Sequence, residues 1–119
     1  MKIAVSSKGP DITSEVDPRF GRAKYILVVE TDSGEVETLD NSKNADALRG
    51  AGIQTAAWVA DRGATALITG HCGPNAFEVL KKAGIKVANN ASGTVKQTIA
   101  DFLDGKLPVA DKADVEGGW

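Results

Sequence analysis

The chain has one cysteine, one histidine and six aromatic residues. One cysteine excludes an internal disulfide. With a single histidine it also excludes the Cys/His zinc sites, which take about four such ligands. A free thiol fits a reducing compartment. No apolar run approaches the roughly 20 residues of a membrane helix. The opening Met1-Lys2-Ile3-Ala4-Val5-Ser6 is too short for a signal sequence and reads as a strand. The expected compartment is the cytoplasm. Neither sign of charge dominates: 14 basic against 16 acidic residues give a net charge of -2. That balance excludes a global footprint for nucleic acid or membrane, so any anion site must be local.

The familiar catalytic signatures are missing as well. There is no Walker-type Gly-Lys-Ser/Thr and no Cys-x-x-Cys. A phosphatase-type loop starting at Cys72 needs an arginine six residues on, and Glu78 stands there. A two-metal nuclease needs clustered carboxylates, normally one on the first strand, and Lys2 to Ser6 has none. Cys72 at a helix start is the one candidate nucleophile. The expectation is a protein that is not an enzyme.

What is present suits one soluble domain: 119 residues, 42% apolar and 25% charged. Strands are expected over Lys2–Ser6, Tyr25–Glu30, Glu35–Leu39, Ala64–Ile68 and Ile85–Ala88. Thr31-Asp32-Ser33-Gly34 makes the second and third an antiparallel hairpin. Asp11 to Ala23 and Asp40 to Asn44 read as loops, and Gly50-Ala51-Gly52 as flexible. Ile53 to Arg62 reads as a helix with Ile53, Ala56, Ala57 and Ala60 on its apolar face, closed by Gly63. A second helix starts at Pro74 and buries Ala76, Val79, Leu80 and Ala83. A third carries Val95, Ile99, Phe102 and Leu103. The order β-ββ-α-β-α-β-α predicts a three-layer α/β domain around a mixed five-stranded sheet over residues 1–107. Residues 108–119 read as a mobile tail.

The densest stretch is Thr69-Gly70-His71-Cys72-Gly73-Pro74-Asn75-Ala76-Phe77, a glycine-rich turn between a buried strand and a helix. Asn89-Asn90-Ala91-Ser92-Gly93-Thr94 repeats the arrangement. Ligands of open α/β sheets bind beyond the carboxyl ends of parallel strands. Helix N-termini there offer free N–H groups and roughly half a positive charge each. The expected anion site therefore combines Gly70, His71, Cys72, Gly73, Asn75, Asn90, Ser92 and Thr94. Arg19 and Arg22 reach it from the loop Asp17-Pro18-Arg19-Phe20-Gly21-Arg22. The blander readings stand beside these: tight-turn glycines, a packed Cys72, arginines in surface ion pairs, and Phe20 as a loop anchor.

Val16-Asp17-Pro18-Arg19-Phe20-Gly21-Arg22-Ala23, Gly50-Ala51-Gly52-Ile53-Gln54, and Thr69-Gly70 with Gly73-Pro74-Asn75-Ala76-Phe77 resemble the dinitrogenase iron–molybdenum cofactor biosynthesis family. Ala83-Gly84-Ile85-Lys86-Val87 and Gly93-Thr94-Val95 continue the likeness. The resemblance implies a ribonuclease-H-like fold without nuclease activity. It implies a carrier or scaffold for an anionic metal–sulfide cluster, of Mo–Cu sulfide type or, alternatively, Fe–Mo–S type. Such a cluster brings its own sulfides and needs N–H donors and positive charge around them. His71 and Cys72 are candidate ligands to copper, though the reading favours non-covalent retention. The expected partners are the cluster and, as the alternative function, a P-loop ATPase or cell-division protein to which a monomeric domain would act as adaptor.

Overall fold

In the computed structural model, which describes residues 1–45 and 50–110, the sheet is built outward from β1 (Lys2–Ser7). Ile3, Ala4 and Val5 are all fully buried, so this strand has a core on both faces. β2 (Tyr25–Glu30) pairs with it antiparallel, from Lys2 opposite Glu30 to Ser7 opposite Tyr25. β3 (Val36–Asp40) continues the hairpin outward. β4 (Ala66–Ile68) pairs parallel on the other side of β1, and β5 (Lys86–Ala88) pairs parallel with β4. The order is β3-β2-β1-β4-β5, with β2 alone running against the rest. This is the expected α/β layout with a mixed five-stranded sheet.

Side-chain alternation along the strands divides the core in two. On one face Ala4, Ile26, Val28, Leu67 and Val87 meet α2 (Ala51–Asp61) and α3 (Pro74–Lys82) through Ala56, Val59, Ala76, Phe77 and Leu80. On the other face Ile3, Val5, Leu27, Val29, Ala66, Ile68 and Ala88 meet α4 (Val95–Leu103) through Val95 and Ile99. Burying a side chain of this size fully contributes about 1.5–3 kcal/mol.

Several expected details differ. The segment after β3 is not all loop: Ser42–Ala45 forms a short helix, α1. Asp40 Oδ1 accepts the Ser42 N–H at 3.0 Å and the Ser42 hydroxyl at 2.6 Å, which starts that turn. Ala51 and Gly52 are helical and buried rather than a flexible lead. The buried stripe of α2 is Ala51, Gly52, Thr55, Ala56 and Val59, while Ile53 is 43% exposed and Ala57 is exposed too. The cause lies far away in sequence. A Cβ on Gly21 would come 2.6 Å from the Gly52 backbone, so loop and helix meet backbone to backbone there. In α3, Phe77 rather than Ala83 takes the inner face, and in α4 Thr98 replaces the exposed Leu103, its hydroxyl bonding to Val95 O at 2.9 Å.

The chain does not stop contributing at residue 107. Leu107 packs on the α4-side core, and the Ala110 N–H donates to Val87 O at 2.7 Å along the outer edge of β5. The rest of the expected tail, 111–119, lies outside the described residues.

Candidate functional site

The crevice beyond the carboxyl ends of β1 and β4, where the chain leaves in opposite directions from the sheet centre, is the natural ligand position. The protein lays its own chain there. The Asp17 N–H donates to Ser6 O at 2.9 Å, and Ser6 Oγ lies 2.7 Å from Asp17 O and 2.8 Å from Thr69 Oγ1. The His71 N–H then donates to Pro18 O at 2.7 Å, and the Phe20 N–H to His71 O at 3.2 Å. Residues 16–20 thus form a strap across the strand ends. Gly70 is required by it: a Cβ there would meet Pro18 Cα at 2.6 Å. Phe20, 1% exposed, anchors the strap in the core as a plain packing residue.

Beyond Phe20 the strap is fixed by Asn41, a buried residue that sequence reasoning passed over. Its Nδ2 donates to Ala23 O at 2.8 Å and Gly21 O at 3.4 Å, while its Oδ1 accepts from Asn44 Nδ2 at 3.0 Å and Thr55 Oγ1 at 3.2 Å. A polar residue in a run of five polar residues, Asp40 to Asn44, gives no pattern to read. Only its burial reveals the role.

The helix starts around this strap are not alike. α3 begins at Gly73 with Pro74 behind it and no side-chain cap. The Asn75 and Ala76 N–H groups have no acceptor among the described residues. α2 begins at Gly50, also with no side-chain cap. Its far end lies near the start of β1, because Lys2 Nζ donates to Arg62 O at 3.2 Å. Its N-terminus therefore opens on the same rim as that of α3, beside Gly21. The start of α4 is closed. Val95 N–H donates to Ser14 O at 2.9 Å, Lys96 N–H to Ile12 O at 2.9 Å and Gln97 N–H to Thr94 Oγ1 at 3.1 Å. The expectation of two equivalent receptive turns is thereby corrected: the turn after β5 spends its N–H groups on the loop 11–16.

The candidate residues fall into groups. Arg19 is exposed and joined to His71 through the backbone, with its Nε 4.0 Å from Asp17 Oδ1. Asn90, in the left-handed region at φ 63°, ties its N–H to Gly70 O at 2.8 Å. Gly70, His71, Asn90 and Arg19 thus form one cluster. Asn75 is exposed at the open start of α3. Arg22 is half-buried, next to the Gly21–Gly52 contact. Ser92 is exposed in the turn after β5, and Thr94 serves as the cap of α4. Gly73 is buried as the N-cap of α3. Cys72 is 0% exposed, packed in the core against the α2 and α3 face, with Sγ 3.7 Å from Gly73 O. Among the described residues no three His, Cys, Asp or Glu side chains gather to hold a metal ion. No helix among them is long and apolar enough to cross a membrane.

A family model described as dinitrogenase iron-molybdenum cofactor matches residues 1–105. The chain is similar to the apo form of the orange protein from Desulfovibrio gigas, at 43% identity and a TM-score of 0.92 over 96% of each chain. It is also similar to a Thermotoga protein of the DUF35 family, at 39% identity and a TM-score of 0.83 over 98% of each chain. An uncharacterized protein of Methanocaldococcus jannaschii is 32% identical over 109 residues, 90% of this chain and 89% of that one.

Proposed function

The chain belongs to the dinitrogenase iron-molybdenum cofactor family, and on that footing we propose that it is a non-enzymatic, cytoplasmic binder of an anionic metal–sulfide cluster. The cargo is a Mo–Cu sulfide cluster, with an Fe–Mo–S cluster as the alternative, held for assembly, storage or delivery. The ribonuclease-H-like description of the fold belongs to the same reading; the strand order with β2 alone reversed supports it.

The observation that carries this reading is the pair of uncapped glycine starts of α2 and α3, opening on one rim beside the loop that carries Arg19 and Arg22. Each N-terminus brings roughly half a positive charge, and α3 adds the Asn75 and Ala76 N–H groups, which have no acceptor among the described residues. Sulfide ligands on a cluster are acceptors for such donors, and the guanidinium groups of Arg19 and Arg22 offset the cluster's negative charge. Retention is non-covalent. Cys72 Sγ is inside the core, and ligating copper there would require the turn 70–73 to open.

The test is reconstitution. Apo-protein is titrated with tetrathiomolybdate and copper, desalted, and analysed for metals and visible absorption. Molybdenum and copper co-eluting with coloured protein at a fixed ratio are expected. Colourless, metal-free protein at every ratio overturns the proposal.

A further inference from the structure

Three polar residues stand in a row across the carboxyl ends of the parallel strands. Leu67 is level with Ala4 and with Val87, so the positions two residues on, Ser6, Thr69 and Asn89, continue the same line. Thr69 donates its N–H to Ala88 O at 3.0 Å and accepts from the Ala91 N–H at 3.1 Å, which keeps Thr69 and Asn89 side by side. All three are buried, Ser6 and Thr69 fully and Asn89 to 6% exposure. Ser6 and Thr69 satisfy each other and the strap. Asn89 Oδ1 has no hydrogen-bond partner among the described residues.

A buried carboxamide without a partner is unfavourable, and native proteins rarely keep one without a use. Alternation gives its direction. Val87 packs on the α2 and α3 face and Ala88 on the α4 face, so Asn89 returns to the α2 and α3 face. That is the face whose helices start without caps. The open N–H groups of Asn75 and Ala76 stand at the start of α3, the helix that follows β4 and leads into β5. Two unsatisfied features, a helix start and a buried amide, therefore share one corner of the molecule.

We infer that Asn89 is a cargo-contacting residue, forming the floor of the cluster site beneath the N-terminus of α3. A half-turn about χ2 puts its NH2 group in place of the unpartnered oxygen, and that group donates to a sulfide of the bound cluster. The inference rests on the cluster-binding reading above and adds to it a neutral donor that no charge pattern marks. It also sets a selection. A floor made of an amide donates to an anionic sulfide or oxide face and disfavours a hydrophobic ligand.

The test uses the full chain, with tetrathiomolybdate plus copper as the probe. Asn89→Asp keeps the shape, removes the NH2 donors and adds a negative charge. Asn89→Leu removes the polar group at similar volume. Both are expected to weaken cluster retention at least tenfold, Asn89→Asp more than Asn89→Leu, with the apo-protein of Asn89→Leu melting no lower than wild type. In the wild-type chain, adding the probe is expected to shift the Asn89 side-chain amide resonances in a ¹H–¹⁵N spectrum, a readout that needs no variant to fold. If wild type takes up the cluster while both variants retain it equally and the Asn89 amide signals stay put, the Asn89 assignment is wrong and the parent reading stands. If wild type takes up no cluster, both fall.

Discussion

On one face of the sheet α2 and α3 start from glycines with no side-chain cap, whereas on the other face α4 starts with its first three N–H groups already bonded by the protein. The starts of α3 and α4 each follow a strand and a short turn, and in sequence the turns after β4 and β5 look equivalent. The difference is made by a remote segment. The loop 11–16 folds over α4 and supplies Ser14 O and Ile12 O, and Thr94 supplies the hydroxyl. Its continuation, the strap 16–20, seals the strand ends but leaves the α2 and α3 starts alone. One stretch of irregular chain thus closes the start of α4 and leaves the start of α3 open. A glycine-rich turn before a helix indicates a receptor only when nothing else in the fold claims its N–H groups.

The largest expected break of this contrast is Gly70→Ala. The added Cβ has no room against Pro18 Cα and O, and both are backbone-fixed. The strap must lift, with loss of about 3 kcal/mol, at the upper end of overpacking effects. Chemical denaturation should show that loss, and reconstitution should show impaired cluster uptake. Full stability would mean that the strap is not held at Gly70.

Next come the arginines, which sharpen the contrast without breaking the fold. Arg19 is more than half exposed, so Arg19→Ala should alter stability by no more than about 0.5 kcal/mol. Arg19→Ala and Arg22→Ala are each expected to lower cluster retention about tenfold, equivalent to about 1.4 kcal/mol. Equal loss of stability and retention would make them structural residues of the strap.

Thr94→Ala probes the closed corner. Removing the N-cap hydroxyl of α4 should cost about 1 kcal/mol of stability. Cluster uptake should stay at the wild-type level, because the proposed site lies at the starts of α2 and α3. A drop in uptake without a drop in melting temperature would place the site on the wrong face.

How much of this could be read beforehand follows the same division. The strands were legible because Ile3 to Val5 and Ile26 to Val29 are short apolar runs, and the hairpin because Gly34 takes φ 79° at the end of its turn. The receptive turn at Gly70 was legible as a motif. Its purpose was not, because the fit of Gly70 against Pro18 joins residues 52 positions apart. The face of α2 was misread for the same reason. Ile53 is the most hydrophobic residue of its first turn and draws the periodic pattern toward itself. The buried stripe instead consists of small residues, Ala51, Gly52 and Ala56, that let Gly21 approach. Hydropathy measures the apolar content of a side chain, and closeness of backbones leaves no trace in it. Asn41 and Asn89 were invisible for a related reason: a buried amide and a solvated one are the same letter.

The smallest predicted effect separates α1 from both other kinds of start, since it is the helix that begins on a carboxylate. The Ser42 hydroxyl, and then the Ser42 N–H, hold the Asp40 carboxyl below its ordinary value. A carboxylate whose folded pKa is depressed stabilises the fold above its unfolded pKa, and that contribution disappears as pH falls through the folded value. Melting temperatures of wild type and Asp40→Asn should therefore differ by a small constant amount near neutral pH, wild type being higher. The gap should close below the ordinary carboxylate range. Asn keeps an acceptor oxygen for Ser42, so the gap reports the charge alone. Cluster retention should not follow this titration, because the uncapped starts of α2 and α3 carry no ionisable cap. Retention that fell in step with Asp40 would mean that α1 helps to form the receptive rim.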